Sequence, residues 1–135
     1  MNLLDENIPE HQRQLLRGWR VLVRQIGVDV GRKGIADEAI IVLLHQLARP
    51  TFFTRDSDFY QQALCHPTYC LAHLAVGQYE AASFIRRFLR HPQFGTHVRR
   101  RGAVVRVGHG GLHVWRLNTA AEEKVSWPEP APGGG

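Results

Sequence analysis

The strongest constraint on this chain is an alternation. Over residues 1–90, short apolar runs take turns with segments of helical period. Asn2–Leu4, Trp19–Ile26 (WRVLVRQI), Thr51–Thr54 (TFFT) and Cys70–Val76 (CLAHLAV) read as strands. Between the first two, Asn7 is placed to cap a helix with Pro9 in its first turn, which runs to about Arg17 and ends at Gly18. Gly27–Gly34 reads as a loop. A longer helix is predicted from Asp37 to Ala48, with Ile40, Leu43, Leu44, Leu47 and Ala48 on one face and Pro50 beyond its end. Asp56–Leu64 is a short helix or turn, and His66-Pro67 breaks the chain before the fourth strand. Tyr79–Arg90 is amphipathic: Ala81, Phe84, Ile85, Phe88 and Leu89 point inward and Arg86, Arg87 and Arg90 outward. Ala103–Val107 and Leu112–Leu117 then form a hairpin about Gly108-His109-Gly110-Gly111. Such an order predicts a three-layer α/β fold: a mainly parallel central sheet flanked by helices, closed by a C-terminal β-hairpin. The expected organisation is one domain over residues 1–125 and a flexible Pro/Gly-rich tail over 126–135.

With 135 residues, 44% of them hydrophobic, the chain is long enough to bury a core. No run approaches the ~20 apolar residues of a membrane span. The opening MNLLDENIPE carries acids where a secretory signal needs positive charge, so a soluble cytoplasmic protein is expected, without membrane attachment. The two cysteines, Cys65 and Cys70, are too few for a disulfide framework. The spacing of Cys65, His66, Cys70 and His73 matches no closed zinc pattern, so free thiols are expected.

Charge is unevenly spread. Residues 1–64 hold eight Lys/Arg and eight Asp/Glu, whereas 65–135 hold nine and four. Between Glu80 and Glu122 there is no acid but there are eight arginines. All five aspartates lie in the first half. Arginine suits bidentate phosphate contacts, and an acidic pocket beside it points to a polyanion handled through a metal.

The carboxylates carry the chemistry. In open α/β sheets, sites form at the carboxyl ends of strands. Asp5 follows the first strand, Asp56 and Asp58 follow the third, and Asp37 opens the helix leading into the third. Four carboxylates drawn together repel one another and call for a cation, shared protons or a basic partner. An all-oxygen ligand set favours Mg²⁺ or Mn²⁺ over Zn²⁺. Asp5 and Asp56 are the expected direct ligands, with Asp37 and Asp58 holding a second ion or orienting water. Arg32, Lys33 and Arg55 are positioned to contact phosphate. Each acid also has a plainer role open to it: Asp37 as a first-turn acid, Asp56 and Asp58 as turn residues.

The segments MNLLDEN, GIADEAI and FFTRDSDF resemble the PIN-domain nucleases, and most closely the compact PIN-like proteins akin to VapC toxins. Asp5 matches the Asp that ends the early strand. Asp37 with Ile40 matches the helix opening, and Thr54, Asp56, Asp58 and Phe59 match the Thr-x-Asp-x-Asp-Phe motif. The likeness covers roughly residues 1–90. It implies a Mg²⁺-dependent endoribonuclease, the toxin of a type II toxin–antitoxin pair, which forms a homodimer and is inhibited by a small cognate antitoxin. Many PIN nucleases carry a further acid on a helical hairpin between the first two motifs. Here that region is only a strand and a loop, leaving Glu6 or Glu38 to substitute. Arg86, Arg87 and Arg90, with Arg99, Arg100 and Arg101, are the candidates for RNA contact, or alternatively for an acidic antitoxin.

Two other readings compete. One is a catalytically weak PIN-like module that binds nucleic acid or an antitoxin. The other is a receiver-like phosphoacceptor domain, which also places acids after strands one and three but needs a late lysine. No lysine occurs between Lys33 and Lys124. His91, His97, His109 and His113 are expected at the surface or facing RNA rather than as ligands.

Overall fold

A computed structural model describes residues 1–129. The strands are β1 (Asn2–Leu4), β2 (Val23–Gln25), β3 (Thr51–Thr54), β4 (Cys70–Leu74), β5 (Ala103–Gly108), β6 (Gly111–Arg116) and β7 (Glu123–Val125). The helices are α1 (Glu10–Gly18), α2 (Asp37–Gln46), α3 (Ala81–Leu89) and the short α4 (His97–Arg100). All seven strands form one sheet in the order β2-β1-β3-β4-β5-β6-β7. The first five are parallel; β6 and β7 add antiparallel. The fold is thus α/β with a mostly parallel sheet, and the expected hairpin adds strands at its edge.

Side chains alternate across each strand, so the sheet buries two faces. Leu4, Phe53, Ala72, Val105 and Val107 pack with Leu16 of α1 and with Phe84, Ile85 and Phe88 of α3. Leu3, Phe52, Leu71 and Val104 pack on the other face with Ile40 and Leu44 of α2. Helices therefore lie on both faces, giving three layers. Buried Gln12 ties α1 to α3 by accepting from the Ala82 amide at 3.0 Å.

Some boundaries differ from the sequence reading, each for a local reason. Helix α1 starts at Glu10 behind Pro9 rather than under an Asn7 cap; Asn7 Oδ1 instead accepts from the Arg55 amide. Gly18 is the last residue of α1, as expected. The chain leaves through Arg20 at φ 63°, with Arg20 N–H on Arg17 O and Val21 N–H on Leu16 O. Those two bonds close the helix, and they use up residues expected in β2, which shrinks to Val23–Gln25. Helix α2 stops at Gln46, and β4 at Leu74. Helix α4 and strand β7 were not foreseen.

The tail reading falls partly outside the described residues. Within them, Trp127 Nε1 donates to Gly108 O at 2.8 Å and Ser126 O meets His91 Nε2 at 2.9 Å, so 126–127 are part of the domain's packing. His91, expected at the surface, is 4% exposed and belongs to this seam. Both cysteines are free. Cys70 faces α1 and α3 while His73 points to the opposite face, so the two cannot share an ion. Among the described residues no helix is long and apolar enough to cross a membrane.

Candidate metal centre

Strand order 2-1-3 makes β1/β3 the place where successive crossovers leave in opposite directions. That is where open α/β sheets bind ligands, at the carboxyl ends of the strands. Asp5 stands one residue past β1, its amide bonded to Phe53 O at 2.9 Å, and thus opposite Thr54. The carboxylate is buried at 6% exposure. Its Oδ2 accepts from Thr54 Oγ1 at 2.6 Å and its Oδ1 from the Glu6 amide at 2.8 Å. Burial raises its pKa, the two hydrogen bonds oppose that, and the nearby charges of Glu6 and Asp56 add to the rise.

Thr54 is the hinge of the site. Its hydroxyl donates to Asp5 and accepts from the Asp56 amide at 3.0 Å. Asp56 Oδ1 accepts from the Asp58 amide at 2.9 Å, which caps the 3₁₀ turn Ser57–Phe59. The turn role foreseen for Asp56 is real, and it also fixes the direction of the Asp56 carboxylate. Phe59 anchors the turn by packing on Phe52. Asp37 arrives as the first residue of α2, whose N-terminus lies at this edge because the helix runs back toward the start of β3.

Asp37, Asp56 and Asp58 each offer a carboxylate oxygen, all within 4.8 Å of one another. Asp5 is not in that group: it sits beside it, engaged by Thr54. Of the four expected acids, then, three converge and the fourth braces one of them. Asp37 has a raised pKa, from desolvation first and then from the charges of Asp56, Asp58 and Glu38. Neighbouring anions that make a carboxyl hold its proton mark a place where a cation is favoured. Two oxygens on one Mg²⁺ at about 2.1 Å stand about 3–4 Å apart, and Mg²⁺ keeps several waters. The all-oxygen triad, exposed at Asp37 and Asp58 and half-buried at Asp56, has the chemistry of residues that would hold such an ion.

Glu6 does not join the triad. Both its carboxylate oxygens accept from the Gly34 amide, at 3.0 and 2.9 Å, where φ of +77° demands glycine. It pins the 27–34 loop, and with it Arg32 and Lys33, to this edge. Glu38 lies beside Asp37 on a shallow hollow shared with Asp58 and Gln61. Arg55 is directed elsewhere, its Nη2 toward Val76 O at 3.4 Å.

The remaining arginine candidates are remote. Arg86 stacks 3.8 Å from the Trp19 ring centroid and Arg87 lies 4.3 Å from that of Trp127. Both belong to α3, and Arg90 follows its last residue, across the sheet from α2. Arg99 and Arg101 precede β5, at the amino edge. Arg100 there is buried, donating to Thr51 Oγ1 at 3.0 Å and Phe94 O at 2.8 Å. Its role is structural, which corrects its assignment as an RNA contact.

The sequence reading missed a polar rung. Thr54 pairs with His73, His73 with Arg106, Arg106 with His113, and His113 with Lys124. All share the α2-side face with Asp5. His73 is 8% exposed with its Nδ1 unpartnered. Burial and then the Arg106 charge lower its pKa, while Asp56 raises it. Arg106 lies 5.2 Å from the Tyr60 ring centroid. Tyr60 donates to Glu122 at 2.5 Å, and His113 Nδ1 meets the same carboxylate at 3.2 Å. A polar row, with Arg106 as the guanidinium nearest the site, thus leads away from the acidic triad.

Comparison of the chain with protein-family models, with curated proteins and with solved structures finds no match in any of the three.

Proposed function

We propose that this chain is a PIN-like, metal-dependent endoribonuclease whose metal is held by Asp37, Asp56 and Asp58. The observation that carries the reading is the meeting of three carboxylates from α2 and the β3 turn at the sheet's switch point. Bound there, Mg²⁺ or Mn²⁺ supplies an acidified water and neutralises charge on the phosphodiester and its leaving oxygen. The chain's own residues do the rest. Asp5 locks Thr54, and Thr54 holds the Asp56 backbone. Arg32 and Lys33, on the pinned loop, are the candidates for phosphate contact. Arg106 and His73 stand on the rung beside Asp56, where a phosphate passing the triad meets a guanidinium. The likeness of the three acidic segments to VapC-type toxins extends the proposal to a homodimer and an antitoxin partner.

The test is cleavage of RNA by purified protein with Mg²⁺ or Mn²⁺, stopped by EDTA. Asp56→Asn and Asp37→Asn should each remove cleavage while circular dichroism is unchanged. Undiminished cleavage by either variant overturns the assignment. RNA binding without cleavage by the wild type favours the catalytically weak module.

One observation favours the receiver reading: the first five strands have the order 2-1-3-4-5, which receivers share. The lysine argues against it. Lys124 lies on β7, four strands from β3, or about 19 Å at ~4.8 Å per strand. That is too far to pair with a phosphoryl group on Asp56. Incubation with a small phosphodonor should leave Asp56 unmodified.

A further inference from the structure

The amino edge of the sheet, opposite the aspartates, holds a cavity of about 370 Å³ lined by the end of α2 (His45, Leu47, Arg49), the 67–68 turn and α4 with Arg101. Its polar lining is Arg49, Arg101, His45, His97 and Thr68. No carboxylate lines it among the described residues, and neither arginine makes an ion pair there. His97 Nδ1 is buried without a hydrogen-bond partner. The His45 ring is held edge-on to His66, centroids 4.3 Å apart, and to Tyr69 at 5.4 Å. Burial first, and then the charges of the amino terminus, Arg100, Arg49 and Arg101, lower the His97 pKa. Cations gathered without a counter-charge repel one another, and an anion seated among them removes that cost.

We propose that this cavity is a second anion site, independent of the metal-centre reading, that takes a terminal phosphate monoester of a nucleotide. Arg49 and Arg101 face the charge, and His45, His97 and Thr68 complete the hydrogen bonds. A monoester carries about −1.5 to −2 charges at neutral pH and three acceptor oxygens, which matches two guanidinium forks better than a single carboxylate does. A second cavity of about 320 Å³ adjoins it, sharing Pro67 and Arg101 and adding Arg116 and Leu117. Together they offer room of the size small-ligand sites have, with one end for phosphate and one for the attached nucleoside.

Calorimetric titration in EDTA tests this, with uridine 5′-monophosphate, uridine, and one RNA hexamer bearing either a 5′-phosphate or a 5′-hydroxyl. The expected result is binding of uridine 5′-monophosphate but not of uridine, and tighter binding of the 5′-phosphorylated hexamer than of the 5′-hydroxyl one, with that phosphate-dependent difference cut about tenfold or more by Arg49→Gln or Arg101→Gln. Asp56→Asn should bind as the wild type does. Both arginines are exposed, so the variants keep the fold. Tighter binding of the phosphorylated hexamer than of the mononucleotide identifies an RNA end as the source; the reverse identifies a free nucleotide. Absence of phosphate-dependent binding, or binding that survives both arginine substitutions, overturns the proposal.

Discussion

Asp37 is where the electrostatics of the triad can be measured without enzymology. At the first position of α2 it has the helix dipole in its favour. Its pKa is nevertheless raised, by desolvation and by Asp56, Asp58 and Glu38. A carboxyl that binds its proton more tightly folded than unfolded contributes stability below its ordinary pKa. That contribution is lost as pH rises through the folded value. Buried Asp5 is shifted in the same direction. The triad therefore costs stability at pH 7, and Asp37→Asn should raise Tm at pH 7 but not at pH 3. Mg²⁺ should do for the wild type what the substitution does for the variant. At ten times its Kd it adds about 1.4 kcal/mol, or about 5 °C in a domain of this size. Thermal melts with and without Mg²⁺ decide it: an equal shift in wild type and Asp37→Asn would remove Asp37 from the ion's environment.

Among the elements, the end of α1 shows what sequence could and could not convey. Arg20 occupies the left-handed position that glycine fills in most such closures, at φ 63°. Arg20→Gly should therefore stabilise the domain by about 0.5–1 kcal/mol, the cost of holding a side chain in that region less the extra freedom given to the unfolded chain. Urea denaturation measures it, and a loss of stability would mean that the Arg20 side chain contributes more than its backbone costs. Gly18, two residues earlier, is the last helical residue, as expected, but the left-handed closure that glycine usually provides falls at Arg20. β1, β3 and β4 were legible because they are compact apolar runs bounded by polar or proline residues, and their central places leave few alternatives. β7 was not: Glu123-Lys124-Val125 carries two charges, which an edge strand tolerates and a buried one does not. α4 was equally hidden, because Thr96 caps only four residues with no apolar period. The order and spacing of the acids led to the expectation that four would meet, and three do. The secondary place of Asp5 depends on a hydroxyl contact with Thr54, which spacing does not reveal.

At the scale of the whole molecule, the decisive question is which surface an RNA strand follows. Arginines crowded into residues 86–101 point to α3 and α4, yet the fold puts those helices across the sheet from the triad or at its other edge. Arg106 is a single charge in an apolar strand, AVVRV, and reads there as an exception. Register gives it meaning: a shift of one residue would turn it into the α1–α3 core, but paired with His73 it stands two strands from Thr54 on the triad's side. Its charge is only partly engaged, by the Tyr60 ring and by Glu122. Salt dependence of binding separates the two surfaces. Each neutralised phosphate of a single strand steepens log K against log salt by about 0.7. In the cleavage-defective Asp56→Asn background, Arg106→Ala should flatten the slope by about that amount and weaken binding about tenfold at 0.1 M salt. Arg86→Ala should leave the slope unchanged, since that guanidinium already lies against Trp19. If Arg86→Ala flattens the slope and Arg106→Ala does not, the strand lies over α3. The acidic triad would then be facing away from the RNA, and no nuclease could be built on it.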